Sequence, residues 1–181
     1  MHDLSPGHEL LKSGRFEEAD EYFSTTAKFF KNDPQTVNGC LYGQARAMVG
    51  LQNLASATTL LICVIQNVPT WGAPYISLAR VYESQGNHYR SQGKVLEAKT
   101  MLKKAEETFL AALNNTTRTK ALTDHFRYFL REHVAQFAPP QTVKTLTPGF
   151  AAYKEQNVRG QCNLIAGLET TPIFKPSTPS V

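Results

Sequence analysis

The chain has 181 residues, 41% hydrophobic and 19% charged, with a formal net charge of +4 and a pI near 9.0. A chain of this length can bury a core without disulfide or metal, and its apolar content excludes a wholly disordered protein. Lys and Arg are scattered singly, whereas a nucleic-acid footprint needs them clustered on one face, so no nucleic-acid partner is expected.

In chain order, Met1 to Gly7 has neither a basic region nor an apolar stretch of the kind that directs secretion. Helical spacing follows in Phe16, Ala19, Tyr22/Phe23, Ala27 and Phe30, where apolar residues recur every three or four positions. Gly14, Gly50 and Gly86 stand 36 residues apart, and Pro34 and Pro69 stand 35 apart. Both spacings suit a two-helix unit that closes at residues unable to continue a helix. The third unit offers two turns. If Gly93 is the turn, mirroring the step from Gly14 to Ala19 in Gly93 to Ala98, the first helix runs about two turns past Gly86. Its partner, through Met101, Leu102, Ala105, Phe109 and Leu113, lengthens equally, giving a hairpin that projects on the order of 10 Å. If Gly86 is the turn, a short helix and a seven-residue loop follow. A seventh helix is predicted over 119–137, with Leu122, Phe126, Phe129/Leu130, Val134 and Phe137 on one stripe and Asp124, Arg127, Arg131 and Glu132 largely off it. Ala138-Pro139-Pro140 stops it. The expected organisation is a helical-repeat domain over 1–138, capped by 119–137, and a flexible Pro/Thr-rich tail over 139–181 in which Phe150 to Glu155 could form a short helix.

Tyr75-Ile76-Ser77-Leu78-Ala79-Arg80-Val81-Tyr82 resembles the first helix of the tetratricopeptide-repeat family, with Ala79 at the small position. Tyr42-Gly43 takes the matching place in the second unit, followed by Ala57-x3-Leu61 and Pro69. Gly14-Arg15-Phe16-Glu17-Glu18-Ala19-x3-Phe23 is similar to the family's turn and second helix, in a unit whose first helix is cut short at Ser5-Pro6. The resemblance spans about residues 5 to 115; Gly39 and Arg46 depart from it, standing where the family favours aromatics. It implies an all-α, right-handed helical-repeat solenoid of about seven helices, without cofactor or catalysis, whose groove accepts a peptide or helix of a partner protein. Carried over by position, the groove-facing residues are Val37, Cys40, Leu41, Gln44, Ala47 and Met48 in the second unit, and Ala73, Ile76, Ser77, Arg80 and Glu83 in the third. Chaperone-binding members grip a terminal carboxylate with Lys, Asn and Arg at such places. Here only Arg80 and Gln44 are polar enough, which argues against a chaperone-tail receptor and for an apolar peptide with one charged contact at Arg80. Two other functions are carried alongside: a small secretion-type chaperone, and a structural subunit docking through the long hairpin and cap helix.

The side chains carry no catalytic or metal constellation. His2, His8, His88, His125 and His133 lack ligand spacing to Cys40, Cys63 and Cys162, and that odd cysteine set points to a reducing, cytoplasmic compartment. Glu17-Glu18 and Glu106-Glu107 are adjacent on helices and read as solvated faces. Phe126-Arg127-Tyr128-Phe129-Leu130-Arg131 superficially suits RNA stacking, but its period buries Phe126, Phe129 and Leu130. Trp71 reads as interlayer packing. The longest apolar run, Leu60 to Ile65, is too short for a membrane span. The sequons at Asn114 and Asn115 have no meaning for an intracellular protein. In the tail, Thr147-Pro148, Thr171-Pro172 and Thr178-Pro179 are candidate phosphorylation sites, and Pro172-Ile173-Phe174 could dock back into the protein's own groove at high effective concentration.

Overall fold

Seven helices follow one another in a computed structural model that describes residues 2–117 and 119–137, with side chains as far as His133. They are α1 (Ser5–Lys12), α2 (Phe16–Phe29), α3 (Pro34–Gly50), α4 (Leu54–Asn67), α5 (Gly72–Ser91), α6 (Val95–Asn115) and α7 (Lys120–Phe137). The described residues contain no strand, so the protein is all-α. The tail expectations, together with Cys162, lie outside the described residues.

The chain divides into two units, residues 1–126 and 127–181. Within the first, α1 packs on α2 and α3, α2 on α3, α3 on α4 and α5, α4 on α5, and α5 on α6. The odd-numbered helices α1, α3 and α5 thus approach one another in sequence, while the α2 and α4 backbones, and those of α4 and α6, stay farther apart among the described residues. Phe126 closes the unit with its ring 5.5 Å from that of Phe109. In the second unit the described part of α7 buries Phe129, Leu130 and His133, with the Phe129 and His133 rings 4.8 Å apart, and leaves Arg127 and Arg131 exposed.

One turn is used three times. Gly14, Gln52 and Gly93 hold positive φ of 77°, 60° and 73°. In each turn the residue after it donates its N–H to a carbonyl five back: Arg15 to Leu10 at 3.0 Å, Asn53 to Met48 at 2.9 Å, and Lys94 to Tyr89 at 3.0 Å. The left-handed residue bonds three back, to Leu11, Val49 and Arg90. This paired bonding satisfies the last carbonyls of one helix and aims the chain into the next. Five residues after each turn stand Ala19, Ala57 and Ala98, all buried, and four further on stand Phe23, Leu61 and Leu102, all without exposed surface.

The turns therefore fall at Gly14, Gln52 and Gly93, and of the 36-residue glycine series only Gly14 marks one. Gly50 is the last residue of α3, packed against the Phe16 ring, and Gly86 is buried inside α5. Of the two candidate third turns the structure uses Gly93. This lengthens α5 to 20 residues and α6 to 21, against 17 and 14 for α3 and α4. Past Gly86 the helix continues to Ser91, about 7.5 Å of rise.

Helix starts are fixed locally. Asp33 caps α3 by accepting from the N–H groups of Gln35 and Thr36 and from the Thr36 hydroxyl at 2.6 Å, and these bonds hold its carboxyl below the usual range. Asn53 caps α4 by accepting from the Ser56 N–H at 3.2 Å.

Candidate functional site

Two clefts open between the odd-numbered helices, and Arg46 of α3 borders both. The larger, of about 760 Å³, lies between α1 and α3. Its walls include His8, Glu9 and Lys12 from α1, Tyr42 and Arg46 from α3, and Trp71 at the cap of α5. Tyr42 and Arg46 are one helical turn apart and so share a face. The Tyr42 ring meets Trp71 edge-on at 4.9 Å, and its hydroxyl lies 3.1 Å from the Ser77 hydroxyl, joining α3 to α5. Trp71 thus packs between units, and its half-buried ring also lines the cleft.

His8 is a perturbed titratable group of this cleft. Its ring stands 5.5 Å from Phe23, and its Nδ1 is buried without a hydrogen-bond partner. Burial, then Arg46 and Lys12, hold the imidazole below its ordinary value, against weaker opposite pulls from Asp3 and Glu9. A depressed imidazole favours the neutral ring in the folded state, so the unfolded chain binds the proton more readily. The stability it contributes is present above the ordinary value near 6.5 and is lost as pH falls through the folded value. His8→Gln is expected to flatten the rise of melting temperature between about pH 5 and 7; an unchanged slope in the variant would assign that pH dependence to other groups.

The second cleft, of about 290 Å³, lies between α3, the start of α4, and α5. Its floor is apolar: Ala45 and Leu61 have no exposed surface, Val81 is 3% exposed, and Val49 and Leu54 are half-buried. Its mouth is polar, with Arg46, Ser77, Arg80 and Ser84.

The residues expected in a groove divide by position. Ser77 and Arg80 line the second cleft. Val37, Leu41, Ala73, Ile76 and Glu83 are half-buried on α3 and α5, and Met48 packs partly against the core that α3, α4 and α5 share. Gln44 donates to the Asp20 carboxylate of α2 at 3.1 Å. Cys40 and Ala47 have no exposed surface and belong to the core with Leu11, Ala19 and Phe23, so neither side chain is open to a ligand. Helical period explains the two: on α3, Cys40 and Ala47 share the stripe turned to α2. Burial also pushes the Cys40 thiol up, which leaves it an unreactive core residue.

Arg46 is the residue that sequence reading left out. It stands where an aromatic was expected, and its position four residues after Tyr42 was the available signal.

The acid pairs behave differently from each other. Glu17 and Glu18 are exposed, and Glu18 accepts from Arg15. Glu107 is exposed and 3.8 Å from Lys103, but Glu106 is half-buried, and burial and then Glu107 push its carboxyl up. The expectation of two fully solvated acids therefore fails at Glu106, which α6 turns part-way into the protein. Among the described residues no group of three His, Cys, Asp or Glu side chains is placed to hold a metal ion. Among the described residues no helix is long and apolar enough to cross a membrane.

No family model matches the chain, and no curated protein matches it.

Proposed function

We propose that the protein is a non-catalytic helical-repeat module, of tetratricopeptide-like arrangement, that holds a peptide or helix of another protein on the face shared by α3 and α5. The observation that carries this reading is the helix contact order: α1, α3 and α5 touch in succession, and both clefts lie between them. Stacked helix pairs that bring their first helices together create an extended surface of this kind, which solenoids use for binding. The family resemblance gains support from the internal agreement of the three hairpins. Gly7, Ala45 and Gly86 each lie seven residues before the turn residue and sixteen before Phe23, Leu61 and Leu102. A Cβ on Gly7 would come within 2.6 Å of Phe23, and one on Gly86 within 2.9 Å of Leu102, so in both hairpins a small residue admits the large one. In the third unit this small residue is Gly86, where the motif as first aligned put Ala79.

The reading is tested by purifying the protein with its partners from its native cell, as the intact chain and as Leu41→Asp/Ile76→Asp. Both side chains are half-buried, so circular dichroism first checks that the variant remains helical. Selective loss of a partner is expected, and a partner retained in full overturns the reading. Retention would favour the second reading, a structural subunit docking through the long hairpin. That reading rests on Val95 and Leu96, 59% and 76% exposed at the start of α6 beside the Gly93 turn. Solvent-exposed large apolar side chains at a projecting tip suit an interface.

A further inference from the structure

We infer that the cleft between α3 and α5 recognises an acidic segment of the partner, with side-chain carboxylates on Arg46 and Arg80 and a neighbouring large apolar side chain on the floor between them. The inference rests on the peptide-holding reading above and narrows it to one class of peptide.

Charge and shape carry it together. Arg46 and Arg80 are both exposed, come from different helices and border the same 290 Å³ cleft. Among the described residues neither has a hydrogen-bond or ion-pair partner. Several other exposed cations of this unit are answered locally, although Lys28, Lys31, Lys99 and Lys120 are not. Lys12 contacts Glu9 at 2.6 Å, Arg15 binds Glu18, Lys103 lies 3.8 Å from Glu107, and Lys94 sits over the Tyr89 ring. No carboxylate lines the cleft that the two arginines border. Two guanidinium groups beside one apolar hollow repel each other until an anion sits between them, and a carboxylate is matched to their fork geometry. Arg46 extends the same field into the adjoining cleft, where it and Lys12 disfavour a charged His8.

The floor selects against a bare anion. The half-buried Val49 and Leu54 offer apolar surface, over the buried Ala45 and Leu61, that inorganic phosphate or a nucleic-acid backbone would leave uncovered. At 290 Å³ the hollow is at the lower limit of ligand pockets, about 300–1,000 Å³, and fits one or two side chains. The hydroxyls of Ser77 and Ser84 at the mouth can donate to a carboxylate or accept from the peptide backbone.

The test uses the full chain and short fluorescein-labelled peptides, C-terminally amidated so that only side-chain carboxylates are present. One alternates Glu with Leu, and two matched peptides carry Gln or Lys in place of Glu. Fluorescence anisotropy at low salt is expected to show the Glu peptide binding about tenfold or more tighter than the Gln peptide, with the Lys peptide weakest. Added salt should shrink that preference. Arg46→Gln/Arg80→Gln, two exposed positions, should erase the preference. Equal affinity for the Glu and Gln peptides overturns the inference, as does binding of none of the three. A Glu preference that survives in the double variant overturns it, and so does tighter binding of a single-stranded RNA of equal charge. The two failures are distinguishable. A partner lost from the Leu41→Asp/Ile76→Asp variant whose bound segment is neutral or basic overturns only the acidic class, whereas a partner retained by that variant overturns the peptide-holding reading itself.

Discussion

Replacing Phe23 by Ala is expected to remove about 3–5 kcal/mol of stability, as large-to-small substitutions of buried aromatics do. Whole-domain stabilities are commonly about 5–15 kcal/mol, so most of the margin is at stake. Phe23 of α2 has no exposed surface and is, with Phe109 and Phe129, among the largest fully buried side chains of the described residues. Its ring sits between two glycines on different helices: a Cβ on Gly7 of α1 would lie 2.6 Å from the ring, and one on Gly43 of α3 would lie 2.5 Å from it. The ring is thus the contact by which α1, α2 and α3 share one core with Leu4, Leu11, Cys40 and Ala47. Urea unfolding followed by circular dichroism measures the loss. If the Ala variant does not fold, Phe23→Leu, which keeps part of the volume, is expected to lose about 1–2 kcal/mol. Gly43→Ala attacks the same contact from the other side, with about 1–3 kcal/mol lost to overpacking. The two changes should be less than additive, because a smaller residue at 23 makes room for the new methyl. Strict additivity would mean that the ring and Gly43 do not bear on each other.

Much of this architecture is legible in the residues. Apolar period places α2 and the apolar stripe of α7 as far as Leu130, and Pro34 stands at the first turn of a helix whose cap, Asp33, is a good capping residue. The turns were harder to read. A helix ends in left-handed backbone, which glycine favours but does not monopolise, and the second turn uses Gln52, a residue that carries no such signal. Gly50, two residues earlier, attracts the assignment although it is the half-buried end of α3, placed there by packing against the Phe16 ring. The binding face was legible only in outline. Family position points to α3 and α5 as the proposed face, but which residues of α3 face outward depends on how α2 packs against it. That packing takes Cys40 and Ala47 into the core and ties Gln44 to Asp20, while Arg46 is left at the surface. Charge on that face belongs to tertiary structure, since Arg46 and Arg80 are far apart in sequence and meet only around a shared cleft.

Glycines of one chain can answer opposite demands, and Gly86 and Gly93 should separate under substitution for that reason. Gly93 sits at φ 73° with nothing within 4 Å of an added Cβ, so only its backbone conformation resists a side chain. Gly93→Asn is expected to be nearly neutral, because Asn tolerates the left-handed region, and Gly93→Ala to lose about 1 kcal/mol. Gly86 has helical backbone and no space: a Cβ there would meet Leu102 Cγ at 2.9 Å and the Ala98 carbonyl oxygen at 3.3 Å. The Ala98 oxygen is main chain, so no rotamer change removes it, and α5 must back away from α6. Gly86→Val is therefore expected to lose about 1–3 kcal/mol by overpacking, even though leaving glycine in a helix interior recovers a few tenths. Leu102→Ala in the same chain should recover part of that loss, since it vacates the side-chain half of the clash, and should do nothing for Gly93→Ala. Melting curves of the two single glycine variants, with and without Leu102→Ala, measure both couplings. Asn tolerated at 86 as well as at 93 would sink the assignment of close packing to Gly86, and with it the view that α5 and α6 form one long hairpin held together where Gly86 admits Leu102.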